Sequence, residues 1–583
     1  MNNDNKNFIL FAVIAAVILF GSQFLQSHFF PAANPPVTKI EAGQTKVVPN
    51  PGADPAADGA AAVRSRNVVL AETPRVRIDT PKLHGSVNLR GARIDDLVLV
   101  TYKETIDKNS QPIRLLSPVG SSANYFAEFG WAGGKIIAPN KDTLWASNRA
   151  DLKPNQPVTL SWKSPQGLIF QIIISVDQNY MFSIVQKVGN AGAIPVSIRS
   201  YGIVSRLGIT QDADTWTNHI GPIGVFGSGA NYDIGYANLT GQEPSFFGKI
   251  FGSTAKAGEN YFDTTGGWLG FGDKYWLTAL VPNQNNAVHS GFPASNGKTY
   301  QANYTTKEIE LNPGKILTQS AHFFAGAKEV RLTDDYEKSL GIKNFDKAID
   351  WGWFRIVEKP IFYYLDWLFR MVGNFGVAII LLTVTIRGLM FPIAQRQFAS
   401  MASMRALQPK MKALQERYKD DKPRQQQEIM ALYKTEKVNP LAGCLPTFLQ
   451  IPIFYALYKV LLLTIEMRHQ PFVLWIKDLS AHDPLTPLNL FGYLAFTPPA
   501  FLAIGVIPIL LGISMYFQFK LNPAPMDETQ KQVFAIMPWV LMFVMAPFAV
   551  GLQVYWITSN VLTILQQKLL YSRHPALKEA VVK

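Results

Sequence analysis

Residues Ala378–Ala394 read AIILLTVTIRGLMFPIA, and the fold turns on how that stretch is taken. An apolar run of this kind is a membrane-helix signal, yet it holds Arg387, the only charge between Arg370 and Arg396. A guanidinium in hydrocarbon costs roughly 2.5–3.5 kcal/mol on insertion scales, so the position needs a reason. Two readings stand. Arg387 lies near the inner boundary and snorkels to headgroups, or it faces a wet cavity between helices and offers positive charge to a passing anion.

Working outward, further spans are expected at Phe375 to Phe391, Leu445 to Ile465, Ala500 to Phe519, Val533 to Ala546 and Phe548 to Leu570, with Pro547 and Gly551 marking the last turn. Phe8 to Leu25 reads as an N-terminal anchor, with a cleaved signal peptide as the competing reading. That makes six transmembrane helices. Their polar residues are Thr383, Thr385, Thr447, Gln450, Ser514, Gln518, Gln553, Thr558, Ser559 and Asn560. These either line a cavity or simply bond neighbouring helices. Trp351 to Phe369 carries eight aromatics among Arg355, Glu358, Lys359 and Asp366. It is too charged to span and is expected to lie in the headgroup layer.

Charge orients these segments. Ile393 to Pro440 holds ten basic residues, including Arg405, Lys410, Lys412, Arg417 and Lys434, against five acidic ones. That excess marks the cytoplasmic side, and an even span count then places both termini there. Met404, Leu407, Met411, Leu414 and Tyr418 recur at steps of three and four, KDDKPR interrupts, and Ile429, Leu432 and Tyr433 resume. The pattern predicts a helical hairpin over 396–437. It is either a solvated coiled coil that fixes topology or a docking surface for an acidic or phosphate-bearing partner.

The chain of 583 residues exceeds a single domain, and 48% hydrophobic against 17% charged residues excludes a disordered or fibrous class. Residues 31–66 hold 6 Pro, 9 Ala and 3 Gly, a tether composition. From about Asn67 to Leu332 short alternating runs such as LIFQIIISV (Leu168–Val176) predict one large β-sandwich. It would lie outside, in an oxidising space where its lack of cysteines is harmless, since the chain's single cysteine, Cys444, leaves no disulfide to form. The division expected is an anchor over 1–30, a linker over 31–66, a periplasmic β-domain over 67–335, an interfacial amphipathic helix over 336–372, a helical core over 373–570 and a basic tail over 571–583.

Catalytic chemistry is not indicated. The eight His are scattered without metal-ligand spacing, and Gly291–Thr299 misses the phosphate-loop spacing by one residue. The basic residues do not interleave with stacking aromatics, which argues against direct DNA binding. No enzyme activity, cofactor or metal is expected.

The runs TIRGLMFPIAQRQFASMASMRALQPKMKALQERYKDD (385–421), YKTEKVNPLAGCLPTFLQIPIFYALYKVL (433–461) and VYWITSNVLTILQQKLLY (554–571) closely resemble the YidC/Oxa/Alb membrane protein insertase family. GSVNLRGARIDDL (85–97) and GGWLGFGDKYWLTALVP (266–282) resemble the large periplasmic domain of its Gram-negative members. The resemblance implies a polytopic α-helical protein of the bacterial inner membrane, with a five-helix insertase core, a periplasmic β-supersandwich and a cytoplasmic hairpin. It implies a hydrophilic groove with Arg387, Thr383, Gln450, Tyr555 and Trp556 on its wall, Trp556 standing where relatives often have a second tyrosine. The partners implied are nascent membrane proteins, the Sec translocon, the ribosome and signal recognition machinery, and anionic lipids. Two rival readings remain, a small-anion transporter using Arg387 as counterion and a receptor whose outer domain binds sugar.

Overall fold

The computed structural model describes residues 64–573 except 122, 135, 211–217, 228, 241–259, 296, 420, 437–444, 493, 495–503 and 522–527. The expected anchor, most of the linker and most of the basic tail lie outside the described residues.

Strands occupy Arg75 to Ala327, where alternation of apolar and polar residues predicts them. In Leu168–Val176 every second side chain, from Leu168 through Phe170, Ile172 and Ile174 to Val176, is buried. Each such side chain contributes about 1.5–3 kcal/mol on leaving water. Among the described residues two sheets form, one of twelve strands and one of nine. Pairing is antiparallel except where Arg75–Asp79 runs parallel to Asp151–Leu152. The buried faces share a core that includes Trp131, Phe170, Phe182, Trp268, Phe271, Phe323 and Phe324. Gly270 lies where strands 268–272 and 276–282 pass, and a Cβ there would fall 1.8 Å from the Thr278 carbonyl oxygen, so no larger residue fits.

A short helix, Val330–Ser339, fastens the sandwich to the helical part of the chain. Its flanking Glu329 accepts hydrogen bonds from Lys82 Nζ at 3.0 Å, Tyr102 Oη at 3.1 Å and Tyr180 Oη at 2.9 Å. The amphipathic helix then runs Arg355–Val372 and ends at Gly373, whose φ of 69° is the left-handed cap that glycine adopts without strain. Next come Phe375–Leu389 (the arginine helix), Phe391–Arg417 and Lys422–Thr435 (the hairpin), Leu445–Leu463, Val506–Leu521, Glu528–Met545 and Val550–Arg573 (the C-terminal helix). Asn374 caps the arginine helix by accepting from Val377 N at 3.1 Å. Asp483 accepts from Ile507 N at 2.8 Å and does the same for Val506–Leu521. The hairpin differs from expectation at its start: its first helix begins at Phe391, because Pro392 fits the first helical turn and lets the chain continue at once. The helix expected from Val533 begins at Glu528, five residues earlier.

Among the described residues no helix is long and apolar enough to cross a membrane. The arginine helix has 15 residues, roughly 22 Å of rise, and Val506–Leu521 has 16, roughly 24 Å. Of the five expected spans within the described residues, Phe375–Leu389, Leu445–Leu463 and Val506–Leu521 are shorter than hydropathy suggests, while Glu528–Met545 and Val550–Arg573 are slightly longer.

Candidate polar seam around Arg387

Arg387 sits in the last turn of the arginine helix and is half-buried. Its Nε donates to Ser559 Oγ on the C-terminal helix at 3.0 Å, and its Nη2 donates to the same oxygen. Among the described residues no carboxylate pairs with it. The guanidinium is turned against a buried hydroxyl.

The C-terminal helix brings further polar groups inward. Gln553, Asn560 and Gln567 recur every seven residues, two helical turns apart, so they share one face, and all three are buried with Thr563. Asn560 Nδ2 donates to Ser514 Oγ at 2.9 Å, joining this helix to Val506–Leu521. Tyr555 is buried and its hydroxyl receives a hydrogen bond from Gln450 Nε2 on Leu445–Leu463. Trp556 is half-buried and meets Phe454 edge-on, with ring centroids 5.0 Å apart. Arg387, Gln450 and Tyr555 are thus linked through one helix: Tyr555 and Ser559 are four residues apart, one turn. Thr383 is different. It is buried, and its hydroxyl donates to the Ile379 carbonyl at 2.7 Å, so it serves its own helix. Gln553 likewise donates to the carbonyls of Met545 at 3.0 Å and Phe548 at 2.9 Å, closing the turn between the last two helices.

In the hairpin Leu407, Met411 and Tyr433 form the buried seam. Lys412, Arg417 and Lys434 point to solvent, while Lys410 reaches across to Glu436 at 2.6 Å. The side chain of Arg405 lies outside the described residues.

Against this geometry the comparisons decide the family. Residues 75–364 match the family model described as YidC periplasmic domain, and 367–577 match the one described as 60Kd inner membrane protein. The membrane protein insertase YidC of Zymomonas mobilis is 47% identical over 99% of this chain and 97% of its own length. The chain belongs to the YidC membrane protein insertase family. The YidC of Methylorubrum extorquens is 42% identical over 98% of this chain and 96% of its own. A solved structure of an active YidC insertase matches with a TM-score of 0.36 at 17% identity, covering 86% of this chain and 92% of that one.

Sequence reasoning passed over one group in this YidC-family core. Lys459, in Leu445–Leu463, is buried, donates from Nζ to the Asp350 carbonyl at 2.7 Å and lies 4.0 Å from Asp350 Oδ1. Beside it Glu358 is fully buried, and among the described residues neither carboxylate oxygen has a hydrogen-bond partner. Burial pushes the Glu358 carboxyl up to about 7, against the pull of Lys459. The signal was present: Lys459 is the one charge in the apolar run from Leu445 to Thr464. Thr563 and Gln567 were also not singled out, since a lone hydroxyl or amide in a helix carries little information without its neighbours.

Proposed function

We propose that this protein is a membrane protein insertase of the bacterial inner membrane, with its β-domain in the periplasm and no catalytic chemistry. Family membership supports the activity, and the exposed side chains support the setting. Leu510, Ile513, Phe517 and Leu521 form one exposed apolar stripe, Ile536, Trp539, Val540 and Phe543 a second, and Val561, Leu565 and Leu569 a third. On the amphipathic helix and the turn before it Trp353, Ile356, Trp367 and Met371 face outward, the first two 83% exposed. Faces of this size need an apolar surround, and lipid provides it.

The observation that carries the mechanism is Arg387, half-buried between two helices with, among the described residues, a neutral hydroxyl as its hydrogen-bond partner. A cation so placed is stabilised by any anion that comes within reach. In this reading a nascent membrane protein enters a groove walled by Arg387, Gln450, Tyr555 and Trp556, with Thr383 packed behind it. Its acidic tail is held transiently by Arg387 and water, and its apolar helix then moves sideways into lipid. Hydrophobic transfer drives the step, at about 0.8 kcal/mol per buried CH₂, and the short arginine helix thins the barrier locally. The core is read as five spans joined by the N-terminal anchor, with both termini cytoplasmic. The basic hairpin meets the ribosome or signal recognition machinery and anionic lipid headgroups, and the β-domain meets the Sec translocon.

The test is insertion into proteoliposomes read by protease protection. Arg387→Lys keeps most of the insertion, and Arg387→Ala lowers it most for substrates with acidic exported tails. Equal insertion by both variants returns Arg387 to a topological role.

A further inference from the structure

Arg387 carries five N–H donors in a plane. One edge, Nε and Nη2, converges on the single Oγ of Ser559, 172 residues away on the C-terminal helix. Ser559 is 2% exposed, and the turn that carries it is held from both sides. Thr563 Oγ1 donates to the Ser559 carbonyl at 2.7 Å, Asn560 is bonded to Ser514, and Tyr555 to Gln450. The acceptor is therefore fixed while the cation it receives sits on a different helix. Two donors meeting at one fixed oxygen remove the rotation of the guanidinium about its long axis. Among the described residues nothing bonds the other edge, which is left for a planar anion that a guanidinium binds through two parallel hydrogen bonds.

We infer that Ser559 is a positioning residue for Arg387: it orients the guanidinium so that its second edge receives the carboxylates of a substrate tail. The inference rests on the groove reading and adds a specificity to it. Without Ser559 the charge persists but its direction does not. An ammonium at position 387 has no edge to orient, so Ser559 matters only while residue 387 is arginine.

The full chain is reconstituted in proteoliposomes, and insertion is measured for one substrate helix with an acidic exported tail and for the same helix with the tail carboxylates replaced by amides. The readout is the acidic-to-neutral ratio, which loss of packing does not change. Ser559→Ala lowers that ratio roughly three- to tenfold, about the net worth of one ordinary hydrogen bond. Ser559→Thr, which keeps the acceptor, restores it. Arg387→Lys with Ser559→Ala gives the same ratio as Arg387→Lys alone. Equal loss on both tails, an unchanged ratio or additive effects in the double variant overturn the positioning role. If Arg387→Ala itself leaves the ratio unchanged, the groove reading has failed; if only Ser559→Ala does, the positioning role alone has failed.

Discussion

Two carboxyl groups outside the helical spans, the buried Glu358 and the half-buried Glu466, are expected to make stability depend on pH. Glu358, on the amphipathic helix, faces Lys459, Asp350 and Tyr455, and burial pushes it up to about 7 from an ordinary value of 4.5. Glu466 accepts from Val330 N at 2.8 Å, and burial, with Glu329 and Asp366 nearby, pushes it up to about 7 as well. Because the folded chain holds these protons more tightly than the unfolded chain does, their contribution to stability is greatest below about 4.5 and falls as pH rises through about 7. Glu358→Gln removes its share of that fall. Thermal unfolding in detergent is expected to give equal midpoints for wild type and variant near pH 4.5 and a more stable variant at pH 8, by roughly 1–3 kcal/mol. A variant less stable than wild type at pH 8 would show that the carboxylate is held by more than Lys459. Glu358 was legible as a charge within an aromatic helix, but its burial was not, because a helix pattern alone does not reveal which face a neighbouring helix, here Leu445–Leu463, covers.

Among elements, the hairpin separates topology from function. Its helices meet along Leu407, Met411 and Tyr433, and Asp421 caps the second by accepting from Arg424 N at 3.1 Å. Removing Met404 to Tyr433 is expected to leave the protein in the membrane while lowering insertion several-fold. Carbonate extraction and the protease-protection assay measure the two separately; an unchanged insertion rate would leave the hairpin as a topology device. Periodicity located these helices to within a few residues, and the arginine helix and the C-terminal helix likewise. It did not resolve which polar side chains face outward from them. Thr383 and Gln553 read like Gln450 in sequence, yet Thr383 bonds its own backbone and Gln553 closes a turn.

At the scale of the molecule the β-domain and the helical core are joined by specific bonds. Arg468 donates to the carbonyls of Lys103 at 2.7 Å and Glu104 at 3.0 Å, and its guanidinium lies 5.6 Å from the Trp276 ring centroid. Asp366 holds Arg331 at 2.6 Å, and Lys359 holds Asp334 and Asp346 at 2.7 Å each. Arg468→Ala is expected to speed amide exchange in strand Arg93–Lys103 at its Lys103 end and in the Ile465–Met467 turn, while leaving the sandwich core protected. Hydrogen exchange with mass spectrometry measures it, and uniform protection at both sites would mean that the remaining ion pairs suffice.

The sequence by itself determined the class of each segment: strands from alternation, helices from apolar runs, the family from three long motifs. The segment classes arise from local free energies, since transfer and propensity terms add residue by residue along the chain. Only the tertiary structure decided which polar groups meet. The contact of Arg387 with Ser559 spans 172 residues, and Lys459 reaches Asp350 across 109. Such pairings depend on helix rotation and packing, which hydropathy does not encode.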